Sequence, residues 1–270
     1  MSKVLVLGGS GLVGGAIINE ISHYHQFEVY FTYYNHPGIH SDRSFKLDLT
    51  DPNNITHILN EVQPDIVISS LRGDFALQLT LHTAVGEYLK RTNGVLYYFS
   101  TTNVFDGDLS RPHYEDDVPY AQSDYGQFKI TCEKKITELL HENACILRIP
   151  QVWGKDSPRL RELRDCNRNG SAITVYPRLS LNTNTDVMIA KQICHLILND
   201  LKGTFHLVSE DIINYKDLYC QLIERFGFHN IRIEEVIDED GCFALLSKRS
   251  KDFPEALRFH NQSVIDYLVQ

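Results

Sequence analysis

A tyrosine and a lysine four residues apart are the groups best placed to move a proton. In Tyr125-Gly-Gln-Phe-Lys129, helical spacing puts the phenol and the ammonium on one face. A free phenol has a pKa of about 10 and is a poor proton donor near neutrality. A neighbouring ammonium favours the phenolate and brings that value down. A tetrad of side chains with oxygen, Ser100-Thr101-Thr102-Asn103, follows a β-rich run at residues 95–99. Open α/β sheets bind ligands at the C-terminal ends of their strands. A hydroxyl there can hold a carbonyl oxygen and stabilise the alkoxide that develops on it. The bland alternatives are a solvated Tyr–Lys pair on a helix face and hydroxyls that merely cap a strand end.

A second motif, near the N-terminus, offers a place for a dinucleotide. An apolar run at residues 4–7 enters GGSGLVGG. Gly8, Gly11 and Gly14 form GxxGxxG, and Gly9, Gly11 and Gly14 also satisfy GxGxxG. The chain must turn off the strand, approach a pyrophosphate with its backbone, and pack a helix tightly on the sheet. Ser10, Leu12 and Val13 lie within that turn, and the N–H groups that open the helix would face the phosphates. The ribose-reading position, about 20 residues on, holds Thr32-Tyr33-Tyr34-Asn35-His36, with no carboxylate to accept from a 2′-hydroxyl. NADP(H) is therefore the preferred cofactor and NAD(H) is allowed, with Arg43 near enough in sequence to fold back. Asp48, next to Leu49, could face the adenine amino group or simply cap a turn beside Thr50 and Asp51.

These residues need a frame. Short β-rich runs at residues 4–7, 28–33, 65–69, 95–99 and 145–149 alternate with helical stretches. Asp51-Pro52 reads as a helix cap followed by proline in the first turn. Ile55, Ile58, Leu59 and Val62 then mark one helix face. The pattern predicts an α/β Rossmann-type fold: a doubly wound parallel sheet with a smaller C-terminal α/β substrate lobe. Residues 1–150 are expected to form the NAD(P)-binding domain. Residues 151–270 would form mainly the substrate lobe, with about 174–200 returning to the first domain. In that lobe, 173–176 and 205–208 read as strands, and Leu218, Leu222 and Phe226 as a helix face ending at Gly227.

Composition is ordinary for a globular chain, with 43% hydrophobic and 23% charged residues. A net charge of −9 disfavours general binding to nucleic acid or to an anionic membrane. No run is long and apolar enough to span a bilayer, and the N-terminus lacks the pattern of a signal peptide. Cys132, Cys145, Cys166, Cys194, Cys220 and Cys242 are scattered with no CxxC. They read as reduced thiols of a cytoplasmic protein. The close histidine pairs, His23/His25 and His36/His40, lack a third ligand, so no metal site is expected.

The motifs fall in an order that resembles the extended short-chain dehydrogenase/reductases, in particular the dTDP-4-dehydrorhamnose reductase-like branch. GGSGLVG is followed by LDLTD at 47–51, FSTTNVFDG at 99–107, YGQFK at 125–129, LRIPQVWG at 147–154 and KGTFHLVS at 202–209. The resemblance implies a triad of Thr101, Tyr125 and Lys129. Thr101 is chosen because it fills the second position of the family's STDYVFDG run, with Ser100 and Thr102 as substitutes. It also implies that Ser69, Ser70, Leu71, Ile149 and Pro150 border the cofactor, that the lysine holds the nicotinamide ribose, and that Arg72, Thr102, Asn103 and Val104 face the substrate. Thr102-Asn103 replaces a common Asp-Tyr, which disfavours dehydration. SSLRGD at 69–74 and RLSLNTNTD at 178–186 also depart from the family.

The activity implied is NAD(P)H-dependent reduction of a keto group on a nucleotide-linked sugar or a related polar carbonyl. A sugar nucleotide is anionic and calls for arginines. Arg178 is the first candidate, then Arg148 and the group Arg159, Arg161, Arg164 and Arg168, which otherwise reads as a solvated helix face. Trp153 is a candidate to stack on a base, though ordinary packing at the lobe junction is the favoured reading of it. Two other readings stand: an epimerase that retains its cofactor, and a non-catalytic NADP-binding regulatory subunit, since LRIP and GTFH also resemble the β subunit of methionine adenosyltransferase. A homodimer is compatible with either enzyme.

Overall fold

The computed structural model describes residues 1–35, 42–237 and 240–270. The N-terminal half runs β1 (Ser2–Leu7), α1 (Leu12–Ile21), β2 (Phe27–Tyr33), β3 (Ser44–Lys46), α2 (Pro52–Val62), β4 (Ile66–Ser69), α3 (Phe75–Thr92), β5 (Val95–Thr101), α4 (Asp124–Leu140) and β6 (Ala144–Ile149). There follow β7 (Gln151–Trp153), α5 (Pro158–Asn169), β8 (Ala172–Val175), β9 (Arg178–Leu181), β10 (Thr183–Thr185), α6 (Asp186–Leu198) and β11 (Gly203–His206). The chain ends with β12 (Ile213–Asn214), α7 (Tyr215–Phe226), β13 (Arg232–Glu235), β14 (Asp240–Phe243) and α8 (Asn261–Val269).

Seven strands form one parallel sheet in the order β11-β6-β5-β4-β1-β2-β3. Both faces are covered, which is why β1 is a continuous apolar run rather than an alternating one. Leu5 and Leu7 join the core under α2, α3 and α4, whereas Val4 and Val6 join the core under α1 and α6. Local signals set the helix limits. Asp51 accepts from Asn53 N at 3.0 Å, with Pro52 in the first turn. Gly227 ends α7 at φ 64°, where a side chain would be strained.

The stretch expected to return to the first layer at about 174–200 is instead Asp186–His206. Strands β8 and β9 remain in the smaller lobe, while α6 packs on α1 and β11 pairs with β6. The strand expected from 205 therefore belongs to the main sheet. The smaller lobe has its own core of Trp153, Leu160, Leu163, Leu218, Leu222 and Leu268, among others. Residues 102–123, between β5 and α4, lie beneath a C-terminal strap. His113 N donates to Ala244 O at 3.1 Å, Leu246 N to His113 O at 2.8 Å, and Cys242 N to Leu109 O at 2.7 Å.

Candidate active site

A cleft of about 1440 Å³ opens at the C-terminal ends of the main strands and continues onto the smaller lobe. Gly8, Ser10, Gly11, Leu12, Val13 and Gly14 line one end. Gly8 sits at φ +82°, and a Cβ on Gly14 would lie 2.3 Å from Gly8 O. The first position requires left-handed backbone, and the second lets α1 close on the turn. The cap of α1 makes no side-chain hydrogen bond, and its first turn carries no acid. Its N–H groups and positive dipole end are thus left for an anion.

Thr32, Tyr33 and Tyr34 line the cleft beyond the turn, as do Asp48 and Leu49. The Asp48 carboxylate accepts from Thr50 N at 2.9 Å and from Thr50 Oγ1 at 2.7 Å. Those bonds hold its carboxyl below the usual range. Asp48 thus closes a turn while it borders the cleft. Arg43, considered for the ribose end, pairs with Glu28 at 3.4 Å and stands outside the cleft wall.

Strand β5 and helix α4 supply the proton-transfer groups. Ser123 caps α4 by accepting from Gly126 N at 3.0 Å, so Tyr125 and Lys129 fall in the first turns beside Thr101. All three line the cleft. Lys129 Nζ donates to Phe99 O at 2.8 Å and lies 5.9 Å from the centre of the Tyr125 ring. Burial lowers the Lys129 pKa to about 8; Cys132 and Glu133 oppose that shift, while Arg72 adds to it.

Tyr125 departs from expectation. Desolvation raises its pKa, and the Arg72 charge and the Thr101 hydroxyl pull it down. Desolvation thus outweighs the lowering expected from a neighbouring ammonium. Tyr125 still keeps 40% of its surface exposed. The three neighbouring hydroxyls are not equivalent. Ser100 donates to the Glu133 carboxylate. Thr102 donates to Ile149 O at 3.3 Å. Thr101 donates to Asn103 Oδ1 at 3.0 Å and accepts from Asn103 N at 3.3 Å, and it is the one that reaches Tyr125.

Ser70, Leu71, Arg72, Thr102, Asn103, Ile149 and Pro150 also line the cleft. Five expected contacts lie elsewhere. Ser69 is buried with its Oγ 2.7 Å from His82 Nε2. Val104 is in a core cluster with Phe105, Val208 and Leu245. Trp153 is fully buried, donates to Gln151 Oε1 at 3.2 Å and meets Tyr219 edge-on. Gln151 and Val152, earlier on the same short strand, line the cleft, and Trp153 beyond them turns into the core of the smaller lobe. Strand alternation excludes Arg178: Leu179 and Leu181 line the cleft, and Arg178 is exposed away from it. Arg148 is buried in an ion pair with Glu133 at 2.8 Å.

The cleft instead takes Arg159 and Arg161 from the first turns of α5, with Tyr176 and Tyr215 edge-to-face at 5.1 Å. No ion pair engages either arginine among the described residues. Ser157-Pro158, a cap and a first-turn proline, mark where this helix starts. Among the described residues no group of three His, Cys, Asp or Glu is arranged to hold a metal. His36 and His40 lie outside the described residues. No described helix is long and apolar enough to cross a membrane.

Over residues 2–251 the chain matches the family described as RmlD substrate binding domain. Methionine adenosyltransferase 2 subunit beta of Xenopus laevis is 22% identical over 257 residues, covering 88% of this chain and 76% of that protein. A probable low-salt glycan biosynthesis reductase of Haloferax volcanii is 21% identical over 253 residues, covering 87% of this chain and 84% of that protein. A dTDP-4-dehydrorhamnose reductase from Bacillus anthracis, solved in complex with NADP, superposes with a TM-score of 0.82 at 17% identity. That match covers 99% of this chain and 98% of the other.

Proposed function

Because this chain belongs to the RmlD substrate binding domain family, we propose that it is a reductase that uses a nicotinamide dinucleotide to reduce a keto group on a nucleotide-linked sugar. The observation that carries the reading is the meeting of Thr101, Tyr125 and Lys129 on the wall of a cleft whose other end is the glycine turn. The turn fits a dinucleotide, because the missing Cβ of Gly14 lets α1 close on the turn and brings its first N–H groups to the cleft. Gly8, Ser10, Gly11, Leu12, Val13 and Gly14 would hold the pyrophosphate end, with Ser70, Leu71, Ile149 and Pro150 along the rest. NADP(H) is preferred over NAD(H), since residues 32–35 place no carboxylate against a 2′-phosphate. When bound, the nicotinamide supplies the hydride that reaches the carbonyl carbon.

The chain's own residues manage the oxygen. Thr101 holds it within reach of Tyr125, which gives up its phenolic proton as negative charge develops there. Lys129 stabilises the phenolate left behind and, with its remaining N–H bonds, can hold the ribose. Arg72 shares in that stabilisation through its charge. The wall of the smaller lobe suits a nucleoside diphosphate: Arg159 and Arg161 at a helix start for the phosphates, and Tyr176 and Tyr215 for the base. The free thiols fit a cytoplasmic location.

Replacing Arg159 and Arg161 together with alanine is expected to raise KM for a nucleotide-linked keto sugar about 10- to 100-fold with little change in kcat. Arg178→Ala is expected to stay within about twofold. Steady-state kinetics of the three proteins checks this, and an equal rise in Arg178→Ala would move the substrate to a different wall. The similarity to a methionine adenosyltransferase subunit favours one second reading, a regulatory subunit. Bound nicotinamide without any turnover, together with a stable complex with a catalytic partner, would select it.

A further inference from the structure

Behind the cleft runs a buried polar chain that the proton-transfer step does not itself use. Glu133 lies one helical turn past Lys129 on α4 and is buried. Its Oε1 accepts from the Ser100 hydroxyl and from Arg148 Nε at 3.1 Å, and its Oε2 accepts from Arg148 Nη2 at 2.8 Å. The last guanidinium nitrogen, Arg148 Nη1, donates to Glu115 O and lies near His206 Nε2, each at 3.4 Å. Burial lowers the His206 pKa to about 4, so the ring is neutral near pH 7. Its Nδ1–H then donates to Leu246 O at 2.8 Å, leaving Nε2 as an acceptor for Arg148. Glu115 in turn accepts from Ser247 Oγ at 2.5 Å and from Lys248 N at 2.9 Å, on the strap.

Stability alone does not account for this arrangement. A buried ion pair loses hydration that its mutual attraction often only just repays, and well-packed apolar residues are commonly as stable. What the chain does achieve is geometric. It ties the end of β5, the turn of α4 that carries Lys129, and the strap to one fixed guanidinium.

We propose that Glu133 is a positioning residue for this site: locked by Arg148, its carboxylate anchors both the strand end that carries Ser100 and Thr101 and the helix turn that carries Lys129. The inference rests on the reductase reading above. It has an electrostatic consequence as well as a geometric one. Lys129 faces Tyr125, Cys132 and Glu133 on its own helix, Tyr98 on β5, His82 on α3, and Arg72 in the segment before α3. His82 is neutral, its pKa lowered by burial to about 3. Burial and the Arg72 charge push Lys129 down, and Glu133 is a carboxylate that pushes it back up. The ammonium is present below its pKa and lost above it, so removal of the Glu133 charge moves that loss to lower pH.

The test is titration of the protein with NADPH, followed by fluorescence, from neutral to alkaline pH. Wild type is expected to lose affinity with a midpoint near the Lys129 value of about 8. Glu133→Gln is expected to move that midpoint acid by about one unit. Glu133→Gln leaves a buried guanidinium unpaired, so Glu133→Gln/Arg148→Met is measured alongside it. The double variant is expected to melt near wild type and keep the acid shift, while Glu133→Asp restores the wild-type midpoint. A folded double variant with the wild-type midpoint overturns the proposal and leaves the reductase reading in place. Failure of wild type to bind NADPH at any pH overturns both.

Discussion

Tyr125→Phe is expected to lower kcat about a thousandfold, within the range that a positioned general acid supplies, and to leave NADPH affinity within about twofold. The change removes one oxygen and keeps the ring. The contacts of that ring, at 5.9 Å from Phe75, which in turn stacks on Phe128 at 4.6 Å, survive the substitution. The cleft wall is therefore preserved while the proton donor is lost. The size of the effect depends on the phenol being the donor and not a bystander. Steady-state turnover together with a cofactor titration separates the two. Turnover equal to wild type would remove Tyr125 from the chemistry and would leave Thr101 and Lys129 as ordinary cleft residues.

The second large effect is expected at the glycine turn. Gly14→Ala should reduce cofactor affinity by about a hundredfold or more and lower stability by about 1–3 kcal/mol, the usual result of overpacking. The added Cβ would fall 2.3 Å from Gly8 O and 2.9 Å from both Gly8 C and Gly9 Cα. These are backbone atoms and cannot rotate away, so either α1 must lift off the turn or Gly8 must leave its φ of +82°. Both movements disturb the N–H groups that would face a pyrophosphate. Gly15→Ala is the matched control. Its nearest neighbour is Gly9 O at an ordinary 3.6 Å, and alanine within a helix is favoured over glycine by up to about 0.5–1 kcal/mol. Thermal melts of the pair are expected to move in opposite directions, and the loss of NADPH affinity to be far larger in Gly14→Ala. Similar behaviour of the two would mean that the turn does not depend on close approach at residue 14.

What could be read directly from the chain was local in origin. The glycine turn, the Asp51-Pro52 helix start, the Gly227 stop and the Tyr125–Lys129 spacing are each set by a few neighbouring residues, and each is found in the structure. The misplacements come from packing and pairing over long range. That Trp153 is buried depends on the smaller-lobe core it joins, built from α5, α7 and α8. Whether Arg178 or Leu179 faces the cleft depends on β9, which lies between β12 and β14. The burial of Arg148 follows from Glu133, on an element that no short motif connects to it. Charge patterning alone does not show which end of α5 points at a ligand, so it leaves Arg159 and Arg161 indistinguishable from Arg164 and Arg168. The rise in the Tyr125 pKa is likewise tertiary, because spacing reveals a neighbouring ammonium but not the walls that desolvate the phenol.

The central claim is that this cleft passes a hydride to a carbonyl carbon while Tyr125 passes a proton to its oxygen. The direct measurement uses NADPH carrying deuterium at the transferable C4 position, with a panel of nucleotide-linked 4-keto sugars and mass analysis of the products. The expected result is one deuterium on the new carbinol carbon for each NADPH consumed, lost in Tyr125→Phe. Tight NADPH binding with no deuterium passed to any member of the panel would contradict it, and would leave a cofactor-holding subunit as the better description of the chain.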